Sequence, residues 1–245
     1  MPLHFVDPSA GAVAPGGLVV LTGAEAHHAA TVRRLRVGEA VSVGDGAGTW
    51  LEGTCEAVTP KEVTVRVAQR RDVPVASPRL VLVQALAKGD RDELAVQAAT
   101  ELGVDEIVPW QAARSVSRWE GMKAEKGRAR WESIVREAAK QAHRAWIPVV
   151  TPLTRTARLA ERAASALVVV LEPSAQDAVT ALAAEVREAA EIVLVVGPEG
   201  GIAPEELETL RAAGARIARL GPEVLRTSTA GPAALAAVAV ALGRW

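Results

Sequence analysis

The chain has 245 residues, 49% of them hydrophobic, enough for a sizeable core in one large domain or in a small domain beside a medium one. With 28 basic against 29 acidic side chains the net charge is −1, so a globally basic polyanion binder is excluded and any nucleic-acid surface must come from local clusters. The single cysteine, Cys55, excludes an internal disulfide and a cysteine metal site and fits a reducing, cytoplasmic setting.

The opening residues, Met1-Pro2-Leu3-His4-Phe5-Val6-Asp7, lack a basic region followed by an apolar segment, so no secretory signal is expected. Short strands are predicted at Leu18 to Leu21, Ala40 to Val43, Trp50 to Val58 and Glu62 to Val67, separated by turns such as Gly44-Asp45-Gly46-Ala47-Gly48. One helical segment, Ala24 to Leu35, interrupts them, with Gly38 as its stop. Residues 1–71 therefore read as a small β-rich module, and 72–79, with two prolines and little periodicity, as a linker.

Residues 80–245 alternate strand with helix. A strand at Leu80 to Leu86 precedes Asp90, read as an N-cap with Glu93 three positions on, and a helix that runs to Leu102 and is closed by Gly103. Further strands are predicted at Glu106 to Pro109, Val149 to Val150, Leu167 to Leu171, Ile192 to Val196 and Arg216 to Leu220. This alternation predicts an open α/β fold with a parallel sheet covered on both faces. Pro204 opens a helix that carries Glu205 and Glu206 in its first turn and stops near Gly214; its cap, Ala203, is a poor one. The segment Thr229 to Leu242 is apolar nearly all round, with Pro232 as a helix initiator. It is too short to span a bilayer and must be buried, within the fold or against another subunit.

Two loops carry the strongest signal. The run Ile192 to Val196 flows into Gly197-Pro198-Glu199-Gly200-Gly201, and Leu220-Gly221-Pro222-Glu223-Val224-Leu225-Arg226-Thr227-Ser228-Thr229-Ala230 follows the next strand. Glycine lets the backbone turn sharply and approach a ligand closely. Neither loop is a nucleotide P-loop or a G-x-G-x-x-G dinucleotide motif. There is no G-x-S-x-G elbow, and the four histidines (His4, His27, His28, His143) lack metal-ligand spacing, so neither a serine hydrolase nor a metal is expected.

Together the loops resemble the S-adenosylmethionine-binding loops of the SPOUT methyltransferases, and most closely the RsmE family, whose signature reads (I/V)GPEGG and then LGxRxLRxETA. The chain departs from it at Glu223, where the family usually has Arg, and at Ser228, where it usually has Glu. The likeness extends to His28, Val32, Arg34 and Leu35 near the start, to Lys88-Gly89, Glu93, Gln97 and Glu101 to Val104, and to Arg114-Ser115, Trp131, Glu137-Ala138, Gln141, Arg144 and Pro148. It implies an N-terminal PUA-like β-barrel, a C-terminal trefoil-knotted domain, and methylation of N3 of a uridine in 16S ribosomal RNA. Under the resemblance the cofactor pocket comprises Leu171 and Glu172, Gly197 to Gly201 (with Pro198, Glu199 and Gly200), and Leu220, Gly221, Val224, Leu225, Thr227, Thr229 and Ala230.

For that chemistry the uridine N3 proton must leave, and the charge developing on the imide needs a cation. Arg226 is the residue assigned to it, as an electrostatic stabiliser; the proton acceptor is unassigned. The RNA partner rests on charge. From Trp110 to Arg158 there are eleven Lys or Arg against four Glu, more than i,i+4 pairs on a solvated helix face account for. Arg114, Arg118, Lys123 and Arg144 there, Lys88, and the cluster Arg33, Arg34 and Arg36 are the expected RNA contacts. The resemblance further implies a homodimer acting on the 30S subunit. Two rivals remain: a non-catalytic ribosome-assembly factor, which would not need both loops, and a ribose 2′-O methyltransferase, whose early Asn-containing motif is missing from a chain with no asparagine.

Overall fold

The computed structural model describes residues 2–245, which divide into two units: the residues up to Val75 with Ala139–Ile147, and Ala76–Ala138 with Pro148–Trp245. The return of 139–147 to the first unit differs from the single break expected at 72–79. Local pattern holds no record of it.

The first unit is a five-stranded sheet in the order β1-β3-β4-β5-β2. Its strands are β1 (Leu3–Val6), β2 (Leu18–Thr22), β3 (Ala40–Gly44), β4 (Thr49–Val58) and β5 (Glu62–Asp72). β1 pairs parallel to β3 and the other neighbours are antiparallel. Alternation along β2 buries Val19 and Leu21 while Leu18 and Val20 face outward, so one face closes on a core that includes Phe5, Val41, Val43, Leu51 and Val65. β5 runs past its expected end at Val67, because Arg70 and Arg71 continue the ladder opposite Leu51 and Trp50. The helical segment is shorter than expected: α1 (Gly23–His27) passes into a π turn over His28–Val32, which ends at Arg34, a left-handed residue with φ +54°, before Gly38 is reached.

The second unit is a six-stranded, wholly parallel sheet in the order β11-β9-β10-β6-β7-β8. Chain order gives β6 (Arg79–Ala85), α2 (Arg91–Glu101), β7 (Glu106–Trp110), α3 (Met122–Gln141), β8 (Val149–Val150), α4 (Thr156–Ala160), β9 (Leu167–Leu171), α5 (Ala183–Glu188), β10 (Glu191–Val196), α6 (Pro204–Ala212), β11 (Arg216–Ala218) and α7 (Thr227–Ala241). The apolar runs of β6, β9 and β10 are buried on both faces, as a covered parallel sheet requires. Gly103, at φ +93°, ends α2 as expected.

Two local expectations, at Asp90 and Pro232, are corrected, and the Ala203 cap of α6 is as expected. Asp90 precedes α2 but makes no side-chain capping bond; the carboxylate that organises this turn is Asp92, which accepts from the Ala87 and Glu93 amides and whose burial pushes its pKa up. At α6, Glu206 reaches back to the Ala203 amide and supplies a bond that the alanine cap cannot. Pro232 lies inside α7, which starts at Thr227, and Gly231 lets that helix sit close on the sheet: a Cβ there would stand 2.9 Å from Leu82 Cδ1. Ala234, Leu235, Val238 and Ala239 of α7 are buried, but Ala237 is exposed and Val240 is 62% exposed, so one apolar face stays uncovered within the chain. No helix among the described residues is long and apolar enough to cross a membrane.

Candidate functional site

Three adjacent parallel strands, β10, β9 and β11, end at one cavity of about 410 Å³ in the second unit. Ligands of open parallel sheets bind beyond the carboxyl ends of the strands, and the volume suits a drug-sized organic ligand. Leu171, Val196, Ile202, Val224, Leu225 and Ala230 make much of the wall apolar.

The loop after β10 forms one wall through Gly197, Pro198, Glu199 and Gly201. Gly197 has no room for a side chain, since a Cβ would lie 2.6 Å from Ile202 Cγ1. Glu199 is the loop's anchor: its Oε1 accepts from the Lys88 amide at 3.0 Å and from Arg91 Nη1 at 2.7 Å. Burial pushes the Glu199 pKa up, but hydrogen bonds from its own amide, from Lys88 and from Arg91 outweigh that and hold the carboxyl below its ordinary value. Gly200 turns away from the cavity towards Arg114, whose Nη1 donates to the Gly200 carbonyl at 3.2 Å.

The second wall is the segment from Arg219 through Thr227. Thr227 Oγ1 donates to the Gly197 carbonyl at 2.8 Å and accepts from Gln84 Nε2 at 2.9 Å, so the Thr227 hydroxyl ties the two loops together and a buried side chain of β6 anchors it. Glu172, after β9, completes the ring, with its Oε1 accepting from the Ser174 amide and hydroxyl. Arg226 stands at the N-cap of α7, its backbone carbonyl accepting from the Thr229 and Ala230 amides and its exposed side chain at the cavity rim. Of the fourteen residues expected around a cofactor, Gly200 and Thr229 lie outside the lining and the other twelve, with Arg226, are brought together.

Sequence reasoning missed three supports. Gln84 was visible as the one polar residue of the run Leu80 to Ala85. Arg91 lines the cavity from 108 residues upstream of its partner Glu199, a separation that leaves no local signal. Glu206 accepts from the Ala113 amide and from Thr156 Oγ1 at 2.6 Å, fixing the segment that carries Arg114 against the start of α6.

The expected RNA contacts fall on both units. Arg33, Arg34 and Arg36 are exposed on the first, which also holds the half-buried Arg144; Lys88, Arg114, Arg118 and Lys123 are exposed on the second. Part of the basic excess is consumed internally. Arg128 binds Glu132 and the Val150 carbonyl, Arg130 binds Glu93, Lys140 binds Glu25 and Arg158 binds Glu161. The side chains of Arg118, Lys123, Lys126 and Arg155 make no hydrogen bond or ion pair among the described residues. No group of His, Cys, Asp or Glu placed to hold a metal occurs among those residues.

A model of the RNA methyltransferase domain matches residues 75–239, and a model of the RNA methyltransferase PUA domain matches residues 21–68. The chain is 46% identical to the ribosomal RNA small subunit methyltransferase E of Mycobacterium bovis, over 99% of this chain and 93% of that protein. A putative methyltransferase from Legionella pneumophila, solved with its bound cofactor SAM, superposes with a TM-score of 0.87 at 29% identity, covering 98% of each chain. The Neisseria gonorrhoeae ribosomal RNA small subunit methyltransferase E, bound to S-adenosyl methionine, gives 0.86 at 27% identity, again over 98% of each chain.

Proposed function

The chain belongs to the ribosomal RNA small subunit methyltransferase E family, and we propose that it methylates N3 of a uridine in 16S ribosomal RNA with S-adenosylmethionine as donor. Bound in the cavity, that cofactor supplies an activated methyl group on a sulfonium. The cavity fits it: apolar side chains at Leu171, Val196, Ile202 and Leu225 suit an adenine, and at Gly197 the absence of a side chain lets peptide groups come close to a ligand. The observation that carries the reading is the joining of the two loops through Gln84, Thr227 and the Gly197 carbonyl, which holds both walls of one pocket in fixed register before any ligand arrives.

In this reading Arg226 faces the negative charge that develops on the uracil imide. A guanidinium stays protonated at any working pH and stabilises charge without exchanging a proton. Lys88, Arg118 and Lys123, together with Arg33, Arg34, Arg36 and Arg144 on the PUA-like domain, contact RNA phosphates; Arg114 does so while also bracing the Gly200 carbonyl. The catalytic domain is a trefoil-knotted SPOUT domain, and the protein works as a cytoplasmic homodimer on the 30S subunit, with the uncovered face of α7 at Ala237 and Val240 as the dimer contact.

The test is Arg226→Ala. Its side chain is exposed, so fold and cofactor affinity should be kept, while single-turnover methyl transfer with excess 30S subunits falls about 100-fold or more, the scale for losing a preorganised electrostatic group. A near-normal rate at saturating RNA would remove Arg226 from the chemistry and leave it as a phosphate anchor.

A further inference from the structure

Six charged side chains line the cavity: Arg91, Glu172, Glu199, Arg219, Glu223 and Arg226. Four are already engaged. Arg91 and Glu199 hold each other, Glu172 accepts from Ser174, and Arg219 donates to the Ala175 and Gln176 carbonyls. Glu223 and Arg226 are the two whose side chains make no hydrogen bond or ion pair among the described residues. They stand three residues apart on one exposed loop at the rim, one acid and one base, without pairing to each other.

We propose that Glu223 is the proton acceptor for uridine N3, a residue role that rests on the function argued above. An imide nitrogen that keeps its proton is a poor nucleophile, so the reaction needs a carboxylate or equivalent base beside it, within hydrogen-bond reach. The other two carboxylates of the lining are poorly suited. Taking up a proton at Glu199 would release the Lys88 amide and Arg91, and with them the loop that walls the cofactor; Glu172 is turned onto Ser174. Glu223 can take the proton without disturbing any internal bond. The departures from the family signature agree with this: the loop lacks a carboxylate at Ser228, which lies outside the cavity lining, and has one at Glu223, which lies within it.

The step balances. The N3 proton passes to a Glu223 carboxylate oxygen, and the electron pair of the N3–H bond stays on nitrogen and forms the new N–CH3 bond. The methyl–sulfur bond breaks, its pair returning to sulfur, which leaves as a neutral thioether. Arg226 offsets the charge on the uracil oxygens while the proton is in transit, and Glu223 then gives the proton to solvent.

The experiment compares wild type with Glu223→Gln, an isosteric change at an exposed position. Nucleoside mass spectrometry of 30S subunits methylated by the wild type comes first, and N3-methyluridine there establishes the reaction independently of Glu223. Single-turnover rates at saturating S-adenosylmethionine are then measured across pH. For E223Q we expect a rate about 100-fold lower near neutrality, an unchanged cofactor Kd, and a rate that climbs steadily with alkali as hydroxide replaces the missing base. A fall of less than roughly tenfold near neutrality, or a loss of equal size at every pH, would overturn the assignment.

Discussion

Thr227 is the point at which the two walls of the cavity depend on each other, and replacing it by valine removes that dependence with almost no change of shape. Thr227 is 7% exposed and Gln84 is fully buried. Without the hydroxyl, the Gly197 carbonyl loses its donor, and Gln84 Nε2 is left with the Ala85 carbonyl alone, at 3.2 Å. A buried polar group left without a partner costs about 1–3 kcal/mol, while the added methyl regains about 0.8 kcal/mol, so a net loss of about 1 kcal/mol is expected. For a chain of this length that lowers Tm by roughly 2–4 °C. About half of the loss should fall on the loop geometry that the cofactor needs, weakening S-adenosylmethionine binding roughly twofold. Thermal unfolding with and without cofactor, and titration calorimetry, read both quantities. Thr227→Ser, which keeps the hydroxyl, should stay close to wild type in each. If T227V matches wild type in Tm and affinity, the two loops are not held by this bond and the preorganisation argument fails.

Ala237→Glu places a charge on the uncovered face of α7, and because Ala237 is exposed within the chain the subunit should still fold. Sedimentation should show monomers in place of dimers, with methyl transfer reduced; a persistent, fully active dimer would contradict the assigned contact. His4 supplies a pH test in the first unit. It is 7% exposed, bonded to Ser42 and stacked on Trp50, and burial, then His143 and Lys140, lower its pKa from 6.5 to about 4. Between these values the unfolded chain binds a proton that the folded chain refuses. The stability this contributes is therefore fully present above the unfolded pKa and is lost as pH falls towards 4, on the order of 3 kcal/mol at most. Urea midpoints at neutral and mildly acid pH should fall less for His4→Gln than for wild type, and equal falls would refute the assignment.

The parallel sheet was legible because Leu80 to Val83 in β6, Leu167 to Leu171 in β9 and Ile192 to Val196 in β10 are apolar runs without polar alternation, as strands covered on both faces are. β1 escaped notice: four residues beside a proline, including a histidine, carry no usable alternation. The extension of β5 was hidden for a related reason, since two consecutive arginines, Arg70 and Arg71, show no apolar alternation although they continue the ladder with β4. Helix ends were misread where the stop was a strained non-glycine, as at Arg34, or where the working carboxylate was Asp92 and not the better-placed Asp90. At the cavity, the glycine loops could be read as a ligand site because their chemistry is local. What locks them could not, because Glu199 to Arg91 and Gln84 to Thr227 are contacts made across 108 and 143 residues. The free state of Glu223 likewise emerges only once the neighbouring charges have found their partners.

The most direct test of the account is the identity of the product. Purified protein is incubated with S-adenosylmethionine and 30S subunits that lack the modification, and the 16S RNA is then digested to nucleosides for mass spectrometry. One new species is expected, N3-methyluridine, formed by wild type and nearly absent with Arg226→Ala. A methyl group found on ribose, or no methyl transfer despite measurable cofactor binding, would contradict it.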